Sequence, residues 1–316
     1  MNLPGNSSIN RRQFLKKSGV GAAGVLAAGA VSFTNPPEAR AAGEISSGFI
    51  PDVDIALKAA PQKVQLFPGD PTGVWSYSGK VLEGDSRHLT IIENSYLGPI
   101  IRVNRGQKVR IRFTNQIRHD SIIHWHALHI PAEMDGHPRF VIPQGKTFVY
   151  EFEVQNRAGT YWYHPHPHGS TGPQVYGGMA GLFIVTDEEE QAAGLPDGEF
   201  DIPLVIQDRS FDRENQLVYL SHHMERMTGF LGDHILVNGR PKMNLQLATS
   251  TYRFRILNGS NSRIYRLAWS DQSPLIAIGN DGGLLEKPVK KRQLLLGPGE
   301  RIELWADFSK YKLGTD

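Results

Sequence analysis

The sequence predicts an all-β protein built of β-sandwiches in tandem. Three observations carry that expectation. Stretches in which apolar and polar residues alternate recur along the chain, which is the period of a half-buried strand. Glycine and proline are abundant, 33 and 20 of 316 residues, and they supply the turns that many short strands need. Helical periodicity is scarce, which argues against bundles. With 40% hydrophobic and 21% charged residues, the chain reads as a soluble globular protein long enough for one large domain or two ordinary ones.

Taken in order, the first element stands outside the fold. Asn10-Arg11-Arg12-Gln13-Phe14-Leu15-Lys16-Lys17 sets a twin arginine before a mild apolar run, Gly19 to Phe33, and Thr34-Asn35-Pro36-Pro37 stops it. The run is too short and too weakly apolar for a permanent membrane span. Ala39-Arg40-Ala41 offers the small residues that a signal peptidase reads, so residues 1–41 are expected to be removed after Ala41. The segment resembles a twin-arginine signal, which implies a periplasmic or secreted protein exported already folded. Five basic residues against Glu38 give this leader a charge of +4; the whole chain carries +2, so the remainder carries about −2. That balance suggests no nucleic-acid partner and no membrane-binding patch. The chain has no cysteine, so neither a disulfide nor a metal thiolate is available.

From Ile91 onward the pattern is β. Pro99 to Asn104 and Lys108 to Asn115 alternate across the turn residue Gly106, and Thr147 to Val154, Tyr252 to Leu257 and Arg301 to Phe308 alternate again. Met179 to Val185 is apolar throughout, as a strand buried on both faces is. The acidic stretch Asp187 to Asp197 reads as a linker, with a helical turn or two at Glu188 to Ala193. One antiparallel sandwich is therefore expected over 45–188 and a second over 199–316. The latter reads as incomplete at Lys312-Leu-Gly-Thr-Asp316.

Seven of the twelve histidines fall between residues 124 and 168. Their core is two doublets, His124-Trp125-His126 and His164-Pro165-His166. On a strand, residues two apart share a face, so each doublet sets two imidazoles side by side. Two neighbouring strands carrying such doublets would bring four imidazoles to one patch. Imidazole suits copper, zinc, iron and nickel, while the absence of thiolate and of nearby paired carboxylates argues against an iron–sulfur or structural zinc site. A lone His-x-His is more often a satisfied strand residue than a ligand. Two doublets, each followed by a further histidine (His129, His168), are not readily explained that way. The first acid after His126 is Glu133, too distant for a cupin site, and no His-Glu-x-x-His is present. Alternation is expected to turn Trp125 and Trp162 to the opposite face, into the core. His222 and His223, near Met224 and Met227, read as a solvated loop with at most weak affinity for copper.

Ser121-Ile-Ile-His-Trp-His-Ala-Leu-His-Ile-Pro131 with Asp135-Gly136, followed by Gly159-Thr-Tyr-Trp-Tyr-His-Pro-His-Pro-His-Gly169, resembles the first two copper-ligand motifs of the multicopper oxidase family, above all its bacterial laccase-like, copper-efflux members. Gly98-Pro99, Val103 to Val109 and Gly178 to Val185 agree, as do Asp233 to Gly239, Tyr252 to Asn258 and Asp281 to Leu285 in the second block. The resemblance covers nearly all of residues 90–310. It implies tandem cupredoxin-like Greek-key sandwiches. It makes His124 the type 2 copper ligand and His126, His164 and His166 type 3 ligands, with His129 and His168 outside the ligand set as orienting or loop histidines.

The family's reaction is the one-electron oxidation of a phenolic, cuprous-ion or other small reductant coupled to reduction of O₂ to water. It also needs a type 1 copper held by a cysteine and four further cluster histidines, and neither is found here. The third domain that carries them is expected to be absent, so the chain is read as an N-terminal portion with a partial type 2 and type 3 site that is not expected to turn over alone. A missing C-terminal domain or a partner chain would supply the rest. The alternatives are a non-enzymatic periplasmic copper-binding protein and a copper-free cupredoxin scaffold.

Overall fold

A strand pattern begins well before Ile91. The computed structural model describes residues 45, 46 and 48–315, and the expected leader over 1–41, with its cleavage site, lies outside them. The first half contains β1 (Val53–Val64), β2 (Thr72–Glu83), β3 (Leu89–Thr90), β4 (Ile100–Asn104), β5 (Lys108–Asn115), β6 (Ile123–His126), β7 (Thr147–Glu153), β8 (Gly159–Pro165) and β9 (Gly181–Thr186). β1 and β2 precede the expected start of the pattern, and in β1 Val53, Ile55, Leu57 and Ala59 alternate and are all buried. Pro61 is tolerated in β1 because β5 pairs only as far as Ala59, which leaves that edge free of a ladder bond.

Two sheets face each other, in the orders β2-β1-β5-β7 and β3-β4-β9-β8-β6. Between them, Ile55, Ile111, Phe113, Trp125, Tyr163 and Phe183 are fully buried in one core, each contributing about 1.5–3 kcal/mol of gross transfer free energy. The sheets are mixed rather than purely antiparallel. β1 runs parallel to β5, and β4 to β9. Alternation reports which face a residue takes, not the direction of its neighbour, and crossing connections between two sheets bring distant strands together in parallel.

The second half holds β10 (Asp201–Phe211), β11 (Leu217–Val218), β12 (His234–Val237), β13 (Arg240–Pro241), β14 (Thr251–Asn258), β15 (Tyr265–Leu267), β16 (Leu275–Asn280), β17 (Gly283–Lys291), β18 (Leu294–Leu296) and β19 (Arg301–Asp307). Its main sheet runs β13-β12-β10-β14-β19-β16-β17, with β11 on β10, and β15 pairs with β18. Among the described residues no sheet joins the two halves, and no helix is long and apolar enough to cross a membrane.

Side chains do join them. The apolar run of β9 is buried on both faces as expected. Phe183 and Val185 enter the first core, while Leu182 and Ile184 pack with Trp162, Val205, Leu236 and Leu257 at the junction. The stretch expected to be a linker is docked. Its helix, Glu188–Ala192, is capped by the Asp187 carboxylate, which accepts from the Glu190 N–H at 2.9 Å. Glu190 is buried and ion-paired to both Arg253 and Arg255. Arg255 also reaches Asp201 at 2.7 Å and Glu303 at 3.1 Å, and Thr160 of β8 donates to Glu303 at 2.7 Å. A charged group so deeply buried is tolerable only when partners surround it. The partners here come from first half, connector and second half alike.

Candidate metal centre

β6 and β8 pair antiparallel, with His124 opposite His164 and His126 opposite Trp162. The ladder continues past the strand ends, where the His166 N–H donates to the Ile122 carbonyl at 3.0 Å. Residues 124, 126, 162, 164 and 166 therefore share one face. His124 lies 5.3 Å, centroid to centroid, from both His164 and His166, and 5.6 Å from His126. Nδ1 of His126 is 3.3 Å from Nε2 of His164. Two nitrogens bound at about 2.0–2.1 Å to one metal stand roughly 2.9–3.4 Å apart, so this separation suits a shared ion. Ligand atoms of His124, His126 and His164 lie within 4.8 Å of one another. His166 sits beside this trio, facing His124, and its Nδ1 is shut from solvent without a hydrogen-bond partner. A buried imidazole nitrogen left without a partner is a feature that a bound ion would satisfy.

Neighbours fix the tautomers of two rings. His124 Nδ1 lies 2.8 Å from the Asp135 carbonyl and 3.1 Å from its carboxylate, so Nδ1 carries the proton and Nε2 keeps its lone pair. His164 Nδ1 donates to the Pro165 carbonyl at 2.9 Å, which likewise frees Nε2. Asp135 is pressed against β6 because Gly136, at φ +77°, approaches so closely that a Cβ would stand 2.0 Å from the Ile123 carbonyl oxygen. After His126 the chain turns through Ala127 at φ +68°, an uncommon conformation for a residue with a Cβ. Asn156 clamps that turn, donating to the Ala127 carbonyl at 2.9 Å and accepting from the His129 N–H at 2.7 Å.

Burial drives the electrostatics. It pushes the His164 pKa down to about 3. Burial, and then the Arg301 guanidinium, bring His126 to about 4. His166 is lowered as well, by burial first and His124 next. These three imidazoles are neutral at pH 7, the form that ligates metal.

Not every expected placement is met. Trp125 is fully buried in the first core, against Tyr150 and Tyr163. Trp162 does not take the opposite face: two residues before His164, it shares the histidine face, with ring centroids 4.2 Å from His164 and 5.0 Å from His126. His129 and His168 are exposed on loops beyond the strands. His222 caps a short helix, His223–Thr228, rather than lying in a loop, and Met224 and Met227 on it are exposed. The second half, which contributes no histidine to the patch, nonetheless borders it. A Cβ on Gly299 would touch Trp162 and His126 at 3.6 and 3.7 Å. Arg301 binds the Thr160 carbonyl at 3.0 Å and pairs with Asp281 at 2.9 Å.

An all-β sandwich pair with imidazole doublets facing each other across one ladder defines a class, and residues 75–190 match the family description "Multicopper oxidase". The chain belongs to the multicopper oxidase family. It is 35% identical over 256 residues to the multicopper oxidase mco of Staphylococcus aureus, covering 81% of this chain and 53% of that protein. It is 33% identical over 304 residues to the cell division protein FtsP of Escherichia coli, covering 96% and 61%. Its fold is similar to the crystal structure of the McoA multicopper oxidase from Aquifex aeolicus, at TM-score 0.73 and 39% identity over 84% of this chain and 56% of that one. The chain thus spans about half the length of the multicopper oxidases it matches.

Proposed function

We propose that this chain is the copper-binding share of a multicopper oxidase-type oxidoreductase, with His124, His126, His164 and His166 as copper ligands. The observation that carries the reading is the convergence of imidazoles from β6 and β8, with ligand atoms of three within 4.8 Å and a fourth ring, whose buried Nδ1 has no partner, 5.3 Å from that of His124. His124 would offer Nε2 as the type 2 ligand, and His126, His164 and His166 would serve the type 3 pair. Bound copper supplies redox capacity and Lewis acidity for coupling a one-electron oxidation to O₂ reduction. The chain's own residues orient and insulate: Asp135 holds the His124 proton on Nδ1, and the buried strands keep His126 and His164 neutral.

The chain has no cysteine to bind a type 1 copper, so electron entry and the remaining cluster ligands would come from residues beyond these 316 or from another chain. The reductant would be a phenol, cuprous ion or another small molecule. Residues 1–41 would direct export by the twin-arginine route, and 45–188 and 199–316 would form the two cupredoxin-like units.

Copper titration of the mature chain, with His124, His126, His164 and His166 changed together to Ala as the control, tests the assignment. Saturable binding lost in the variant supports it; binding that is equal in both sinks it. A non-enzymatic reading draws on the 96% of this chain that aligns with FtsP. A mature chain without affinity for copper would favour that scaffold role.

A further inference from the structure

Building on the copper reading above, we infer that Trp162 is the positioning residue of the metal site, a rigid plate against which His126 and His164 are held in register. The indole meets both rings at shallow angles, 36° to His164 at a centroid distance of 4.2 Å and 32° to His126 at 5.0 Å. These are near-stacked contacts, whereas His124 meets its neighbours His126 and His164 at 65° and 73°. The two rings that share the plate are also the two whose nitrogens approach to 3.3 Å. His126 has no anchor of the kind that Asp135 gives His124 or Pro165 gives His164. Its one polar contact, Nδ1 to His164 Nε2 at 3.3 Å, is long for a hydrogen bond and would be given up if both nitrogens turned to a metal, so stacking on the indole is the contact that orients the ring in either state.

The plate itself cannot shift. Trp162 is 6% exposed and packs in the junction core with Leu182, Val205 and Leu257, and Gly299 backs it from the second half. Two residues earlier on the same face, Thr160 is pinned at both ends. Its carbonyl accepts from Arg301 and its hydroxyl donates to Glu303. The second half therefore acts on the metal site through β8 and this indole, although it carries no ligand there. The indole Nε1 is buried without a partner, so stacking and apolar packing, not hydrogen bonding, hold the ring in place. Rings held in one orientation lose little rotational freedom when metal binds, which is the source of preorganised affinity.

The test compares Cu(II) binding by the mature wild-type chain with Trp162→Phe and Trp162→Leu, each checked for an unchanged melting temperature. The Leu variant keeps apolar bulk but removes the plate, and it should bind roughly 10- to 100-fold more weakly, the usual cost of losing an outer partner of a metal ligand. The Phe variant keeps a ring and should restore most of the loss, with a paramagnetic resonance spectrum like that of wild type. A second measurement needs no variant. In the metal-free protein, ring protons of His126 and His164 should be shifted upfield by the indole, whereas those of His124 should not. Wild-type affinity in the Leu variant, or His126 and His164 protons at ordinary positions, would overturn the inference and leave the copper assignment standing. Absence of copper binding by wild type would instead overturn the assignment on which it rests.

Discussion

Glu303→Gln should destabilise the protein far more than a surface charge change, because the substitution is isosteric and removes only a charge. Glu303 is completely buried and accepts from Thr160 at 2.7 Å, from Arg253 Nε at 3.0 Å and from Arg255 at 3.1 Å. The cluster balances Glu190, Asp201 and Glu303 against the buried Arg253 and Arg255 and the partly exposed Arg102. Taking away one carboxylate leaves a guanidinium charge uncompensated in the interior, a change that costs about 3–5 kcal/mol. At roughly 2–4 °C per kcal/mol for a protein of this size class, the melting temperature should drop by about 6–20 °C. Glu189→Gln is the matched control. Its pair with Arg157 is exposed, at 63% and 47%, and should be worth less than about 1 kcal/mol. Calorimetry of both variants decides the matter. A Glu303→Gln melting temperature within 2 °C of wild type would refute the view that these charges clamp the two halves together.

Three further outcomes follow from the same geometry. His126 and His164 should add almost nothing to any weakening of copper binding between pH 7 and pH 5.5, because burial holds them at about 4 and about 3; four ligands titrating near 6.5 would each lose about tenfold, so a total loss far short of that product, read by isothermal titration at the two pH values, is the expected outcome. Gly136→Ala should cost more than about 3 kcal/mol in denaturant unfolding, since the left-handed φ of +77° and a Cβ 2.0 Å from the Ile123 carbonyl combine strain with overlap. Asp201 supplies an acid limb to stability: burial raises its carboxyl, but Arg255 and then Arg102 outweigh it and hold the pKa below the usual 3.8. A carboxyl lowered by folding contributes stability above its unfolded pKa and loses it as pH falls through the folded value. Unfolding free energy should therefore decline below about pH 4, and Asp201→Asn should flatten that decline.

Much of the metal face was legible because the strand period is two. His124 with His126, and His164 with His166, had to share faces once β6 and β8 were strands. The same rule places Trp162 with His164; expecting it on the opposite side was a parity error rather than a failure of the signal. β1 was legible too, in the alternation Val53, Ile55, Leu57, Ala59. Other features could not be read locally. Glu190 looks like one of three surface acids until Arg253 and Arg255, more than sixty residues away, fold onto it. Gly299 and Arg301 reach the histidine patch only because the second half packs on the outer face of β8 and β9. Strand direction was hidden as well, since the alternation of β5 is the same whether β1 runs with it or against it.

The most direct test is anomalous X-ray scattering at the copper edge from crystals of residues 42–316 grown with Cu(II). The expected result is a peak within bonding distance of imidazole nitrogens of His124, His126 and His164, with His166 turned to the same metal centre. Copper found only elsewhere on the surface, at His222 or His223 for instance, with the patch between β6 and β8 left metal-free, would contradict the account.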